Sequence, residues 1–286
     1  MAKRSIKLGS LKKIFSNKYM ISLPVILGLC LVFLVGYGVN SYLMMNGKSI
    51  GETSDGVPAF LPTQSSENDI GEKRLNNSPV DFNSLWDISR DVCGYIEIPD
   101  TTVSYPVMIN PEYTDFYLDH YIDGRYDESG SIFMQRYNSE NFTDLVTVLY
   151  GHNMFGRTDA ERPYFAFFQK EYSNPEFLAA HPYVYIYLPS KTLKYEVCAL
   201  VPYTDDHIFY IHDFSVEGEF GKFMDEIYSR SGDYVCFADR DRPAGDKQIL
   251  VLSTCYMWDD TKRYLLVAEL CEDVEMDITA PSVADR

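Results

Sequence analysis

The stretch ILVLSTC, residues 249–255, indicates the kind of fold that this chain adopts. Its first four residues are large and apolar, which favours a buried β-strand, and a reactive side chain, Cys255, stands at its end. After a loop, YMWDDTK, Arg263 opens a second apolar run, RYLLVAEL, at residues 263–270. This part of the chain therefore predicts strands with chemically active residues at a strand end.

Apolar runs of the same character recur further towards the amino terminus, each bounded by turn residues. They lie at residues 95–98, 103–108, 131–135, 145–150, 183–188, 193–201 and 234–237. Many of them are rich in Val, Ile and Tyr, as half-buried pleated surfaces prefer. So many short strands predict a mainly β fold, a closed or nearly closed barrel of about eight strands.

Three helices are predicted around these strands. Ser78, followed by Pro79 and Asp81, has the form of an N-cap, a first-turn proline and a capping acid. Two more helices are predicted at residues 163–172 and 216–230. The last one has apolar residues at helical spacing, which predicts that this stripe faces the core rather than a ligand.

The amino-terminal region indicates a membrane anchor. Residues 19–39 carry no charge and as a helix would span roughly 30 Å, the thickness of a hydrocarbon core. A cleaved signal peptide is the rival interpretation, but no convincing small-residue cleavage site follows. The basic flank predicts a cytoplasmic amino terminus, with the rest of the chain on the extracellular face of the cell membrane.

The chain thus divides into a short series of predicted segments. They are a basic cytoplasmic segment (1–18), a transmembrane helix (19–43), a flexible stalk (44–77), a catalytic domain (78–271) and an acidic disordered tail (272–286). The stalk is predicted because its residues are rich in Gly, Ser, Pro, Asn and charge without any sustained period.

The charge of the chain argues against nucleic acid as a partner. Six of its 25 basic residues lie within the first 18 positions, so 19 basic and 42 acidic residues follow. A protein region with this excess of acidic residues repels the phosphate backbone of nucleic acid. Since solubility alone explains acidity, no substrate role is assigned to it.

The six cysteines predict neither a disulfide scaffold nor a metal site. Cys30 lies within the predicted membrane span, which leaves an odd number outside and therefore at least one unpaired thiol. No pair of cysteines has the spacing of zinc ligands, so no metal or cofactor is expected. Cys198 and Cys236 lie inside apolar runs, where a buried inert thiol is typical.

Two strand ends carry the residues that point to chemistry. The run LVTVLYGHNM at 145–154 leads from an apolar strand into His152, just as the run at 249–255 leads into Cys255. A polar residue at the mouth of a buried strand is held by a rigid scaffold and is still accessible to substrate. The other histidines lie in or beside polar loops and are not expected to be catalytic.

Together these motifs resemble those of the sortases, specifically class B. The resemblance rests on YGHNM at 150–154, LSTC at 252–255 and Arg263 in TKRYLLVAEL, and it spans about residues 85–271. It implies a membrane-anchored cysteine transpeptidase of Gram-positive bacteria. In this family, Cys255 corresponds to the nucleophile, His152 to the acid and base, and Arg263 to the residue that stabilises charge.

The resemblance also implies a substrate and an acceptor. A sorting signal at the carboxy terminus of a surface protein would be cut after a Thr, giving a thioacyl-enzyme. An amine of the peptidoglycan cross-bridge or a pilin lysine would then take the acyl group. Four residues match positions that line the sorting-signal groove of class B relatives: Leu118, Tyr150, Ser253 and Thr254.

Departures from the family pattern leave the peptide motif open. In this chain, YGHNM is followed by FGRTDAERPYF. Cys255 and Arg263 are only eight positions apart, and Thr114 stands where relatives often have Asn. For Leu118 and Tyr150, core packing is an equally good interpretation. A membrane-tethered cysteine peptidase that only hydrolyses, and a non-catalytic β-barrel binding domain, are the alternative functions.

Overall fold

The computed structural model describes residues 78–154, 164–245, 247–256 and 259–275, except for the side chain of Asp260. The predicted cytoplasmic segment, transmembrane helix and stalk (1–18, 19–43 and 44–77) all lie outside the described residues. Among the residues that are described, no helix combines the length and the apolar character needed to cross a bilayer.

A single β-sheet dominates the described part of the chain. Its strands are β1 (Val92–Glu97), β2 (Ser104–Met108), β3 (Ile132–Met134), β4 (Val146–Tyr150), β5 (Tyr183–Tyr187), β6 (Lys191–Thr204), β7 (Cys236–Phe237), β8 (Ile249–Tyr256) and β9 (Asp259–Glu275). Their order is β5-β1-β2-β3-β4-β8-β9-β6-β7, and β5 also pairs with β6. Eight strands therefore close into a barrel and β7 lies outside the ring, which confirms the predicted mainly β barrel.

Short helices surround the barrel. They are α1 (Phe82–Ile88), α2 (Phe168–Glu171), α3 (Pro175–Ala180), α4 (Ile208–Ile211) and α5 (Glu219–Ser229), with one 3₁₀ turn at Phe116–Leu118. The apolar stripe of α5 packs on the barrel as predicted, with Phe223 and Ile227 fully buried. The helices α3 and α4 were not predicted, because elements of one or two turns are too short to show a helical period.

The first helix begins later than the sequence predicted. Asp81 is its N-cap and accepts hydrogen bonds from the backbone N–H groups of Asn83 and Ser84, at 3.1 and 3.2 Å. Ser78 instead accepts from the N–H of Val80, two residues on, at 3.2 Å. The prediction of Ser78 as N-cap was wrong, because the Asp81 carboxylate satisfies two of the free N–H groups of the helix start.

The second predicted helix, at residues 163–172, is shortened to α2. Tyr164 has a φ of 64°, in the left-handed region. A right-handed helix cannot pass through a residue in that conformation. The regular helix therefore starts only at Phe168, and residue 163 lies outside the described part of the chain.

Strand β8 is buried on both faces, which explains why residues 249–252 are uniformly apolar. Leu250 and Leu252 belong to the cluster that fills the barrel. Ile249 and Val251 point the other way, into the cluster that contains the apolar face of α5. Because successive side chains alternate between the faces of a strand, both faces must be apolar here.

The last strand, β9, extends into the segment predicted to be a disordered tail (272–286). Across the β6–β9 pair, Lys194 binds Glu272 at 2.6 Å and Lys191 binds Asp273 at 2.9 Å. These opposite-charge pairs hold acidic residues against the sheet. The prediction was therefore wrong for residues 272–275, while residues 276–286 lie outside the described residues.

Candidate active site

A cleft of about 250 Å³ opens where β4 and β8 end. All seven candidate residues line it: Leu118, Tyr150, His152, Ser253, Thr254, Cys255 and Arg263. The strands β4 and β8 are parallel neighbours, so their carboxyl ends meet at the same edge of the barrel. This pairing brings the two sequence motifs together in one place.

Cys255 and Arg263 face each other across the β8–β9 pair. They are direct partners in the antiparallel register, and a register shift follows immediately after Cys255. Side chains of directly opposed residues lie on the same face, with Cβ atoms about 4.5–5.5 Å apart. The short connection between the two residues thus joins β8 to β9 so that Cys255 and Arg263 are directly opposed and both line the cleft.

The register of β4 and β8 places His152 beside Cys255. Tyr150 pairs with Ser253, and the N–H of Gly151 donates to the Ser253 carbonyl at 3.1 Å. His152 lies two residues beyond Tyr150, Cys255 lies two residues beyond Ser253, and both side chains line the cleft. The cleft therefore combines a thiol, an imidazole and a guanidinium at one edge of the sheet.

A backbone carbonyl orients the imidazole of His152. Its Nε2 lies 2.6 Å from the Leu118 carbonyl oxygen. Because a carbonyl only accepts hydrogen bonds, Nε2 must carry a proton, and Nδ1 is the nitrogen that can exchange one. The sequence showed no Asp or Asn for this orienting role. Because every residue has a backbone carbonyl, the sequence could not identify the one that orients His152.

Asn153 joins the histidine segment to the cysteine residue itself. Its Nδ2 donates to the Cys255 carbonyl oxygen at 3.0 Å. The regular β4 ladder has ended at Tyr150, so this amide continues the connection between the two segments by a side chain.

The four predicted groove residues differ in exposure. The side chain of Leu118 is 48% exposed, which excludes core packing as its main role. Tyr150 stacks on Phe133 at 5.5 Å and is partly buried, so it contributes both to the core and to the cleft. Ser253 and Thr254 are buried at the cleft floor.

The electrostatic environment of Tyr150 shows that the charge of Arg263 acts within the cleft. Burial raises the pKa of Tyr150 above its ordinary value, and the nearby Arg263 charge opposes this rise. The positive charge of Arg263 is therefore close enough to the cleft to favour an oxyanion that forms there.

The structure adds residues to the cleft that the sequence analysis missed. They are Asp115, Phe133, Gln135, Gly151, Tyr203, Thr204, Asp205, Asp206, His207, Ile208 and Leu265. Residues 205–207 follow the apolar strand β6 in the same way that His152 follows β4. That pattern could have identified them, whereas Asp115 and Gln135 carry no such signal.

The absence of a side chain at Gly130 leaves room for the Leu118 carbonyl that orients His152. Replacement of Gly130 by alanine should therefore displace this carbonyl. Gly130 has a φ of 61°, and an added Cβ would lie 2.6 Å from the Tyr117 carbonyl oxygen and closer still to that of Leu118. We expect Gly130→Ala to lower the free energy of unfolding by about 2–4 kcal/mol. We also expect roughly a tenfold loss in kcat/KM, because small displacements of a catalytic group are costly.

Gly124→Ala is the matched control for this measurement. Gly124 also has a positive φ, of 79°, but an added Cβ would meet nothing within 4 Å. It should therefore cost only the backbone strain, about 1–2 kcal/mol, and leave activity unchanged. Equal kinetic behaviour of the two variants would show that the Leu118 carbonyl does not position His152.

Comparisons with known proteins agree on one family. No protein-family model matches the chain. Sortase B of Listeria monocytogenes is 26% identical over 189 residues, which are 66% of this chain and 72% of that protein. Sortase B of Staphylococcus aureus is 29% identical over 195 residues, which are 66% of this chain and 74% of that protein.

A solved structure shows the same similarity in three dimensions. The X-ray structure of Clostridium perfringens sortase B superposes with a TM-score of 0.58 and 28% sequence identity. The match covers 67% of this chain and the whole of that structure. Sequence and fold comparisons therefore lead to the same family as the motifs of the cleft.

Proposed function

Since this chain belongs to the class B sortases, which are cysteine transpeptidases, we propose that it attaches surface proteins covalently to an amine. Its substrate would be a carboxy-terminal sorting signal, cut after a Thr. Its acceptor would be an amine of the peptidoglycan cross-bridge or a pilin lysine. The observation that carries the proposal is the pairing of Cys255 with Arg263 beside an imidazole oriented by Leu118.

In the first half of the reaction the acyl group moves to the enzyme. The Cys255 thiolate attacks the carbonyl carbon of the Thr at the scissile bond, and a carbon–sulfur bond forms. Arg263 stabilises the oxyanion of the tetrahedral intermediate. The carbon–nitrogen bond then breaks, and the protonated His152 gives its Nδ1 proton to the leaving amine.

In the second half the amine acceptor replaces the sulfur. His152, now neutral, takes a proton from the attacking amine at Nδ1 while its Nε2–H stays bonded to Leu118. The tetrahedral intermediate collapses with loss of the Cys255 thiolate, which leaves a new amide bond and a protonated His152. The enzyme returns to its starting protonation state, so no cofactor is needed.

The groove residues would hold the peptide on either side of the nucleophile. Leu118 presents an exposed apolar side chain at the cleft, and Tyr150 presents an aromatic face. Thr254 has a buried Oγ1 without a hydrogen-bond partner among the described residues. Such an atom gains most from a peptide group that enters the cleft and pairs with it.

We further propose that the chain acts at the outer face of the cell membrane, with residues 19–43 as a single span and its amino terminus in the cytoplasm. The uncharged run and its basic flank support this arrangement. The lipid bilayer would then be a partner through that segment, with residues 44–77 as a spacer.

A shortened chain tests this division. We expect residues 78–286 alone to be soluble and to retain full activity on peptides, because the described domain begins at the capped helix α1. The full chain should sediment with membranes after cell lysis. A shortened protein that is inactive, beside an active full chain, would show that residues before 78 belong to the catalytic domain.

A peptide library combined with candidate amines tests the reaction itself. The soluble domain is incubated with Thr-containing peptides, with and without amines such as triglycine, and the products are read by mass spectrometry. We expect cleavage after Thr and an amide product in place of the acid when the amine is present. An acid product only would mean a hydrolase, and no product with an unreactive Cys255 would mean a binding domain.

A further inference from the structure

The amide of Gln135 connects two segments that line the cleft. Gln135 directly follows β3 and is only 5% exposed. Its Nε2 donates to Asp115 Oδ1 at 2.6 Å, and its Oε1 lies 2.6 Å from His207 Nε2. All three residues line the cleft.

Chemistry fixes the direction of these two hydrogen bonds. An ionised carboxylate only accepts, so the amide N–H₂ of Gln135 must face Asp115 and its oxygen must face His207. His207 therefore carries its proton on Nε2. Burial lowers the pKa of His207, which keeps its ring neutral and this arrangement stable near neutral pH.

Asp115 and His207 belong to two different segments that both line the cleft. Asp115 starts the 3₁₀ turn Phe116–Leu118, whose last carbonyl orients His152. His207 is the N-cap residue of α4, and its ring stacks on Tyr210 at 4.1 Å. Gln135 thus links the segment that carries the Leu118 carbonyl to the N-cap residue of helix α4.

The helix α4 depends on such links for its position. It has only four residues, and Ile208 is its one buried side chain, whereas Tyr210 and Ile211 are exposed. A single helical turn has little stability of its own and takes its place from the contacts of its side chains. The Tyr137–Tyr210 hydroxyl bond, at 2.9 Å, is a second link, but it lies at the surface.

We propose that Gln135 is a positioning residue that sets the width of the cleft for the substrate peptide. The inference rests on the proposed function, since it assumes that a peptide occupies this cleft. Gln135 acts through α4, which has few contacts of its own, and does not take part in the chemistry. Its loss should therefore weaken peptide binding and leave the chemical step largely intact.

The test is Gln135→Met, which keeps the volume and removes both hydrogen bonds. Gln169→Met is the matched control, because Gln169 is 1% exposed, lies on α2 and does not line the cleft. The probe is the library peptide that the wild-type domain turns over fastest. Its KM and kcat are measured in each variant, and its Kd is measured with Cys255→Ala added to each.

We expect Gln135→Met to raise both KM and Kd about tenfold. A loss of binding free energy of that size is typical for one buried hydrogen bond. Its kcat and its rate of iodoacetamide labelling at Cys255 should stay within about threefold of wild type. The Gln169→Met control should change neither constant. Asp115→Ala, a change at an exposed residue, should raise KM by a smaller factor, and its folding is checked by circular dichroism.

An unchanged Kd in Gln135→Met and an unchanged KM in Asp115→Ala would overturn this inference while the proposed function stands. A fall in kcat and in Cys255 labelling at constant Kd would also overturn it, since Gln135 would then act on the catalytic groups. A wild-type domain that neither binds nor cleaves any peptide would overturn the proposed function and this inference together.

Discussion

Cys255→Ala should have no acyl-transfer activity that can be measured, while each other described cysteine can be replaced with activity retained. The thiolate is the atom that forms the acyl-enzyme, and alanine offers no substitute nucleophile. The position of Cys255 at the cleft, opposite Arg263, is the structural reason for this expectation. Peptide cleavage by the individual Cys→Ala variants is the measurement.

Three of the other described thiols are held in their protonated form by their surroundings. Burial raises the pKa of Cys198 to about 12, and it raises the pKa values of Cys93 and Cys236 as well, while Cys271 is exposed and lies outside the cleft. A thiol with a raised pKa is almost wholly protonated at neutral pH and does not attack a carbonyl. Replacing these residues should therefore affect stability at most. An active Cys255→Ala protein would end the account of the site given above.

Arg263→Lys should lose at least about a hundredfold in kcat/KM although the positive charge is kept. An oxyanion donor must be aimed at the developing charge, and removing one typically costs about 10²–10³ in rate. Arg263 is the residue of β9 directly opposed to the nucleophile in the strand register, and its side chain lines the cleft. The lysine ammonium is a point charge on a flexible stem and loses that alignment.

Iodoacetamide labelling separates the two roles that Arg263 could have. If the guanidinium only supplies a positive field for the thiolate, Arg263→Lys keeps both labelling and turnover. If it binds the oxyanion, labelling is nearly normal and turnover falls. A surface pair with an acidic neighbour would be worth about 0–1 kcal/mol and would survive replacement by Lys. One such neighbour, Asp259, binds Lys262 at 2.8 Å. Turnover of Arg263→Lys within a few-fold of wild type would refute the oxyanion role.

The strands of this barrel were predictable because each carries a local signal. Apolar runs such as residues 249–253 stand out wherever both faces of a strand are buried, as in β8. The pairing of strands was not predictable from residues alone, since the parallel contact of β4 with β8 joins segments far apart in the chain. Only the family resemblance indicated that His152 and Cys255 meet.

Polar contacts made by the backbone or by buried amides escaped the sequence analysis. The Leu118 carbonyl orients His152, although Leu118 was selected only for its side chain. Gln135 resembles any other polar residue at a strand end, and its role depends on Asp115 and His207, which other segments supply. The start of α1 was misplaced for a similar reason, because Ser78 and Asp81 are both good N-caps and only the fold decides between them.

The measurement closest to the central claim is the intact mass of the protein during turnover. The soluble domain is mixed with its best peptide, quenched in acid, and analysed with and without an added amine. We predict that wild type gains the mass of the acyl fragment at Cys255, that Cys255→Ala gains none, and that the amine removes the adduct as an amide product forms. Cleavage of the peptide without any adduct at Cys255, or an adduct that yields only acid in the presence of amine, would contradict the account.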